Sequence, residues 1–143
     1  MLDQPHGPAL LDAVAKLLRD VLMPQLPPGA VFQARVAANA VDLAAREMRL
    51  GPSADAQAVA RLQALLQHSG ELPALEAELA LRIRSGGIDD QDPALRAHLW
   101  ASTLDKLAID QPSYAPYRRA LQLRTPPTPT PSGVRHHGFQ YPR

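Results

Sequence analysis

Apolar residues recur at spacings of three and four along most of the chain, which is the pattern of amphipathic α-helices. A first helix begins at Pro8 and is bent or ended by Pro24, with Arg19 on its polar side. Residues 32–50 form a second, uninterrupted helix whose circumference is mostly small and apolar. We therefore expect this second helix in the middle of a bundle, with neighbours on several sides. The apolar stripe of the first helix comprises Leu10, Leu11, Val14, Leu17, Leu18, Val21 and Leu22.

Further helices follow at regular intervals. Gly51-Pro52 predicts the end of the second helix and the start of a third over residues 53–67. A fourth helix covers about residues 72–85, and a fifth, capped by Asp92, extends to about residue 109. A short helical turn is also indicated at residues 117–121. The predicted fold class is all-α, a compact bundle of about five amphipathic helices with mostly antiparallel neighbours.

The end of the chain differs from the rest in composition and charge. Beyond Thr125, proline at every second or third position blocks both helix and ladder hydrogen bonds. We predict a helical bundle domain over residues 1–124 and a proline-rich, extended or disordered tail over residues 125–143. Residues 113–143 carry five arginines and no acid, whereas residues 1–112 carry 10 Lys/Arg and 14 Asp/Glu. Five scattered arginines do not form a dense basic patch, so we expect no nucleic-acid partner.

Several classes of site are absent from the sequence. The chain has no cysteine, which excludes disulfides, thiolate zinc sites and cysteine nucleophiles. The five histidines form no ligand spacing, so we expect neither a metal site nor a cofactor. No secretory signal and no membrane-spanning apolar run is present, so we expect a cytoplasmic protein without membrane association. Without a Walker A, nucleophile-elbow or dinucleotide motif, the sequence favours a non-catalytic protein but leaves the question of enzymatic activity open.

The best candidate for chemistry is a polar stripe on the second helix. Arg35, Asn39, Asp42 and Arg46 fall within about 60° of one another at 100° per residue. Two guanidinium groups there could hold an anionic ligand or a partner's carboxylate. A ladder of surface ion pairs is the simpler interpretation, and we favour it for Asp42 and Arg46. Asn39 is a poor helix former, and we expect its side chain to bond the backbone of a neighbouring loop or helix end.

Two further positions call for a specific explanation. Glu47 falls within the apolar arc of the second helix, where a carboxylate is either paired or has a raised pKa. Arg82 or Arg84 is the expected partner. Residues 110–114 are predicted to form a fixed corner. Tyr114, at its end, either packs on the bundle or anchors a partner. The candidate ligand or partner contacts are Arg35, Asn39, Arg46, Glu47, Arg84 and Tyr114.

Three stretches together resemble a family of small, all-helical bacterial proteins of unknown function. They are Phe32 with residues 35–40 and 46–47, then residues 81–86, and then residues 106–114. Members of that family are typically encoded beside aminoglycoside-phosphotransferase-like kinases and acyl-CoA dehydrogenases. The resemblance implies a role in a pathway that activates and oxidises carboxylic or hydroxy acids, and it supplies no catalytic residues.

Two functional hypotheses follow. The first is a non-catalytic accessory or interaction protein that binds a kinase-like or acyl-CoA dehydrogenase-like partner. The alternative is a binder of, or enzyme for, an anionic or CoA-linked metabolite that uses the Arg/Asn/Glu group of the second helix. A wide apolar patch on one face of the bundle would favour a homodimer.

Overall fold

The computed structural model describes residues 5–123, and within that range it contains five α-helices and no β-strand. The prediction of an all-α bundle is therefore confirmed. The predicted proline-rich tail lies outside the described residues, so the domain boundary at residue 124 stays a prediction. The helices are α1 (Gly7–Leu17), α2 (Pro28–Leu66), α3 (Leu72–Arg84), α4 (Pro93–Asp110) and α5 (Ala115–Leu123).

The helix α2 is the element on which the others pack. Its 39 residues extend over about 58 Å at 1.5 Å per residue. The helix α1 runs antiparallel to the first half of α2, and just after α1 the side chain of Arg19 contacts Asp42 of α2. The helices α3 and α4 also pack against α2. The expectation that the second predicted helix contacts several neighbours is correct.

The predicted break at Gly51-Pro52 is wrong, because α2 continues through it without interruption. A proline inside a helix removes the hydrogen bond to the carbonyl four residues earlier, here that of Met48, and its ring crowds that carbonyl. Buried contacts exist on both sides of the proline, at Ala45 before it and Leu62 after it. We infer that this packing stabilises the continuous helix by more than the proline destabilises it.

The contact between α1 and α2 is made of small side chains. Ala15 of α1 and Ala38 and Ala45 of α2 are almost fully buried, which lets the two backbones approach closely. The predicted apolar stripe of α1 is not covered in the same way, and this part of the prediction is wrong. Only Leu11 and Leu18 of the stripe are half-buried, because α1 turns its alanine side toward α2. The exposed members are Leu10, Val14, Leu17, Val21 and Leu22.

The helix α1 continues into a π-helical turn, Leu18–Leu22, and then a 3-10 turn, Met23–Gln25. Hydrogen bonds in a π turn close from residue i to residue i+5, so each turn holds more residues than an α turn. Side chains within and beyond the π turn are therefore rotated from the positions that α periodicity predicts. Arg19 lies in this turn and contacts α2, so the prediction that it faces away from the bundle is wrong.

The apolar core lies where the second half of α2 meets α3 and α4. Five leucines form it, and Leu62 and Leu75 are the largest side chains that are fully buried. The start of α4 is as predicted, since the Asp92 carboxylate accepts hydrogen bonds from the backbone N–H groups of Ala94 (2.7 Å) and Leu95 (2.9 Å). The core leucines are Leu62, Leu66, Leu75, Leu79 and Leu95.

His98 is the one buried polar residue among the described part of the chain. Burial lowers the pKa of His98, and the guanidinium group of Arg61 lowers it further. Arg61 donates a hydrogen bond to Asp105 (2.9 Å) on the same helix as His98. Both effects favour the neutral imidazole of His98 in the folded protein.

The first prediction concerns the continuity of α2. Pro52→Ala supplies a backbone N–H that can donate to the Met48 carbonyl, so we expect the free energy of unfolding to increase by about 1–3 kcal/mol. Urea unfolding followed by circular dichroism measures it. Pro73→Ala is the matched control, because Pro73 lies in the first turn of α3, where a missing N–H costs almost nothing. Equal effects at the two prolines would contradict a continuous α2.

The second prediction concerns pH. Because the pKa of His98 is lower in the folded chain than its unfolded value of about 6.5, acidification protonates the unfolded chain first, so stability falls as the pH drops below about 6.5. His68 acts in the opposite sense, because the Ser69 carbonyl and the Glu78 carboxylate raise its pKa. Its contribution is fully present below the unfolded pKa and is lost as the pH rises through the folded pKa.

Urea unfolding of His98→Gln and His68→Gln between about pH 5 and pH 8 separates the two histidines. Relative to the original chain, we expect His98→Gln to lose less stability on acidification and His68→Gln to lose more. A difference between His98→Gln and the original chain that does not change with pH would rule out a neutral buried His98.

Candidate functional site

An open cleft lies between α2 and the turn that joins α4 to α5. We call that turn, residues 110–114, the corner, and the opening beside it the α2/corner cleft. Its volume is about 690 Å³, within the range of about 300–1,000 Å³ that is typical of small-molecule sites. The α2 wall consists of Val36, Asn39, Ala40, Asp42, Leu43 and Arg46.

Arg19 of the π turn fixes two polar side chains of the α2 wall. Its guanidinium group donates to both carboxylate oxygens of Asp42, at 2.5 and 3.2 Å, and to the amide oxygen of Asn39 at 3.1 Å. The hydrogen bond with Asp42 raises the pKa of Arg19. The negative charge of Asp42 is thus balanced by Arg19. The amide oxygen of Asn39 accepts a hydrogen bond from the same side chain. The predictions of an ion-pair ladder along α2 and of a backbone partner for Asn39 are both wrong.

Arg46 joins the α2 wall to the end of α4. Its half-buried side chain donates through Nε to the Ile109 carbonyl at 2.5 Å, in the last turn of α4. A cation is favourable there because a helix C-terminus carries partial negative charge and unpaired carbonyl groups. The terminal nitrogens of Arg46 make no hydrogen bond and no ion pair with the described residues. These nitrogens can therefore donate hydrogen bonds to an anionic group in the cleft.

The corner is a fixed turn, as predicted. The Gln111 N–H donates to the Leu107 carbonyl at 2.9 Å, and the Tyr114 N–H donates to the Gln111 carbonyl at 3.0 Å. The Tyr114 carbonyl then accepts from Arg118 at 3.1 Å, which starts α5. Tyr114 is held at the edge of the cleft with an exposed ring, and its hydroxyl has no partner within the described residues.

The apolar part of the cleft comes from α2. Val36 and Leu43 line it, and Phe32, one turn before Val36, is 69% exposed. Phe32 and Val36 therefore add exposed apolar surface beside the cleft. The cleft thus combines an apolar strip, an unpaired guanidinium group and a phenol. Asp110 at the corner contributes one exposed carboxylate.

The structure brings together three of the six predicted contact residues. Asn39, Arg46 and Tyr114 line the α2/corner cleft, whereas Arg35 is exposed and is not part of it. Arg84 is exposed in the last turn of α3.

Glu47 lies on a different surface from the cleft. It is exposed, and it borders a separate groove together with Met48 and Asp55. The predicted pairing with Arg82 is wrong, because Arg82 pairs with Glu78 at 2.6 Å. At Glu47, the apolar arc of the predicted second helix is not covered by another helix. The Glu47 carboxylate is therefore in contact with solvent and needs no buried partner.

Arg19, which fixes Asn39 and Asp42 of the cleft wall, is the residue that sequence analysis missed. The prediction took the leucine side of the first helix as the buried one, whereas α1 buries its alanine side, and Arg19 follows the buried Ala15 by four residues. Pro24, which lies just after the π turn, was the one available indication of irregular geometry.

Two other kinds of feature are absent from the described residues. Within residues 5–123, no group of three or more His, Asp and Glu side chains could hold a metal ion. No helix in the same range is both long enough and apolar enough to cross a membrane.

Comparison with known proteins gives one match. A family model described as "Domain of unknown function (DUF6285)" matches residues 24–114, well over half of the chain. The matched segment contains both walls of the α2/corner cleft, while α1 and α5 lie outside it. No curated protein and no solved structure is significantly similar to the chain.

The third prediction concerns the contact that fixes the α2 wall. A double-mutant cycle with Arg19→Gln and Asp42→Asn should give a coupling energy of about 1 kcal/mol, because both side chains are only about one-third exposed and the contact is bidentate. The more exposed pair Arg49 and Asp12 is the control, for which we expect a few tenths of a kcal/mol. Urea unfolding measures both. Equal coupling in the two pairs would contradict a special role for Arg19.

Proposed function

The chain belongs to DUF6285, a family of unknown function, and we propose that it is a non-catalytic helical module that binds a partner protein through the α2/corner cleft. The observation that supports this most directly is Arg46. Its guanidinium group is half-buried, is fixed by one hydrogen bond to α4, and lacks a carboxylate among the described residues. A carboxylate from a partner would complete its hydrogen bonding.

The surroundings of Arg46 support a protein partner in particular. Tyrosine and arginine dominate the residues that carry binding energy in protein interfaces, and here Tyr114 and Arg46 line one cleft. Val36 and Leu43 supply apolar area beside them. The expected ligand is a peptide segment with an acidic side chain next to an apolar one.

We propose a kinase-like or acyl-CoA dehydrogenase-like enzyme as the partner. This choice rests on the resemblance to proteins encoded beside such enzymes, which would make this module an accessory protein of a pathway that activates and oxidises carboxylic or hydroxy acids. The cleft residues lie inside the matched family segment, which is where a role common to the family would be located.

A second candidate is the binding of an anionic or CoA-linked metabolite in the same cleft. The volume of the cleft and the free nitrogens of Arg46 support it. The four-residue group first considered for this role is not assembled, because Arg35 and Glu47 lie outside the cleft. A binding role is thus better supported than a catalytic one, since Arg19 holds the Asp42 carboxylate and the Asp110 carboxylate is exposed to solvent.

The fourth prediction tests the partner hypothesis by affinity capture. The full-length tagged chain is mixed with purified kinase-like or acyl-CoA dehydrogenase-like protein, and we expect Tyr114→Ala and Val36→Asp to weaken capture about tenfold or more. Both side chains are exposed, so the fold should be kept, and circular dichroism checks this. Arg35→Ala is the matched control, an exposed α2 residue outside the cleft. Capture that is equal for cleft and control variants would contradict the proposal.

Metabolite binding has a separate readout. Carboxylic acids and CoA thioesters are titrated while the unfolding temperature is recorded, first for the original chain and then for Arg46→Lys. Lysine keeps the positive charge but lacks the planar guanidinium group. A ligand held by Arg46 should therefore raise the unfolding temperature less in the variant than in the original chain. Identical shifts would exclude Arg46 from ligand binding.

A further inference from the structure

Arg19 holds two residues of the α2/corner cleft from outside, because it contacts Asn39 and Asp42 but does not line the cleft itself. A guanidinium group has hydrogen-bond donors and no acceptor, so the amide of Asn39 presents its oxygen to Arg19, at 3.1 Å. The amide nitrogen is therefore directed away from Arg19, and it has no hydrogen-bond partner among the described residues. What Asn39 can offer a ligand in the cleft is thus a hydrogen-bond donor.

The contact with Arg19 also prevents Asp42 from pairing with Arg46. Asp42 precedes Arg46 by four residues on α2, which is the spacing at which an acid and a base on one helix pair. Both carboxylate oxygens of Asp42 are instead bound by Arg19, at 2.5 and 3.2 Å. Of the two charged residues on the α2 wall, Arg46 is therefore the one without an opposite charge in the described part of the chain.

The corner limits how much negative charge a ligand can carry. Asp110 lines the cleft with an exposed carboxylate, which accepts a hydrogen bond from the Gln111 amide at 3.1 Å. Together, Arg46 and Asp110 leave the cleft without a strong net charge. A ligand with one acidic group fits this balance better than a ligand with several.

The spacing along α2 matches an extended peptide. Asn39 and Arg46 lie on one face of the helix, because seven residues make almost two full turns, and they are about 10 Å apart along its axis. An extended chain advances about 3.3 Å per residue, so groups about three residues apart span this distance. Beside them, the small side chain of Ala40 leaves space between the apolar side chains of Val36 and Leu43.

We propose that the cleft binds an extended peptide segment through two hydrogen-bonding groups about three residues apart. Arg46 binds an acidic side chain of the segment, and the Asn39 amide donates to a backbone carbonyl. An apolar side chain between these two groups packs at Ala40. Arg19 is the positioning residue for this preference, because it turns the Asn39 amide and keeps Asp42 from Arg46. The inference rests on the proposed function, which itself requires only that a partner binds in the cleft.

Blocked hexapeptides without charged termini test the preference. The probes are acetyl-Ala-Glu-Leu-Ala-Ala-Ala-amide and acetyl-Ala-Ala-Ala-Leu-Glu-Ala-amide, which cover both chain directions, and their counterparts with Gln in place of Glu. Peptides up to about 5 mM are titrated into the full-length ¹⁵N-labelled chain. We expect a Glu peptide to bind about tenfold more tightly than its Gln counterpart and to shift the side-chain N–H signals of Asn39 and Arg46. No binding by either Glu peptide, or equal affinity for Glu and Gln peptides, overturns the proposal.

Two variants test the role of Arg19. In Arg19→Gln, Asp42 becomes free to pair with Arg46, so we expect the tenfold preference for the Glu peptide to fall to about twofold or less. In the double variant Arg19→Gln/Asp42→Asn, the competing carboxylate is gone, and the preference should return. A merely structural role would weaken both peptides equally and leave their ratio unchanged. That result, or a double variant that stays without preference, overturns the positioning role of Arg19.

Arg49→Gln is the matched control. Arg49 also connects α1 to α2, through Asp12 and the Pro8 carbonyl (3.3 Å), but it lies outside the cleft. We expect this variant to keep the full preference for the Glu peptide, and circular dichroism checks the fold of every variant. Loss of the preference in Arg49→Gln would assign the effect to a general loosening of α1 and would overturn the proposal.

Asn39→Asp tests the second hydrogen bond. Aspartate still accepts from Arg19 but has no N–H group for a peptide carbonyl, so the Glu and Gln peptides should both bind about tenfold more weakly. Unchanged affinity overturns the contact at Asn39.

Partner capture separates this proposal from the proposed function. Capture that is weakened by Tyr114→Ala but unchanged in Arg19→Gln and Asn39→Asp would keep the cleft as the partner site and overturn the peptide preference. Capture that is equal in all cleft and control variants contradicts the proposed function itself.

Discussion

The backbone of α2 must remain helical through Gly51-Pro52 for this architecture to exist. Before the proline, α2 supplies Ala38 and Ala45 to the contact with α1, and after it α2 supplies Leu62 and Leu66 to the leucine core. A break would separate these two groups of contacts into smaller independent pieces, and smaller pieces bury a smaller fraction of their surface on folding. Because α2 is one continuous helix, the direction in which Ala38 and Ala45 face fixes the direction in which Leu62 and Leu66 face.

The same helix builds the candidate site with the faces that packing leaves free. Its alanine side is buried against α1, and its opposite side, with Val36, Leu43 and Arg46, forms a wall of the cleft. Arg46 links the α2 wall to the last turn of α4, because its Nε donates to the Ile109 carbonyl. A cation that is already fixed in position loses little conformational entropy when a ligand binds.

Local patterns predicted the helices and the helix caps well, and they predicted tertiary contacts less well. Periodicity, the Asp92 cap and the corner before Tyr114 depend on near neighbours in sequence, so they could be predicted. The continuity at Pro52 could not, because it depends on packing energies from both halves of α2. The position of Arg19 could not, because it depends on which side of α1 packs on α2. Which side of α1 is buried was also inaccessible, since its leucine and alanine sides are both apolar.

The alanine contact between α1 and α2 has a consequence for local motion. Alanines bury little area, and the ion pairs that accompany them are partly exposed, so each contributes only modestly. The leucine core, by contrast, belongs entirely to α2, α3 and α4. Amide hydrogens of α1 should therefore exchange with solvent through detachment of α1 alone, well before those of the core helices exchange through global unfolding.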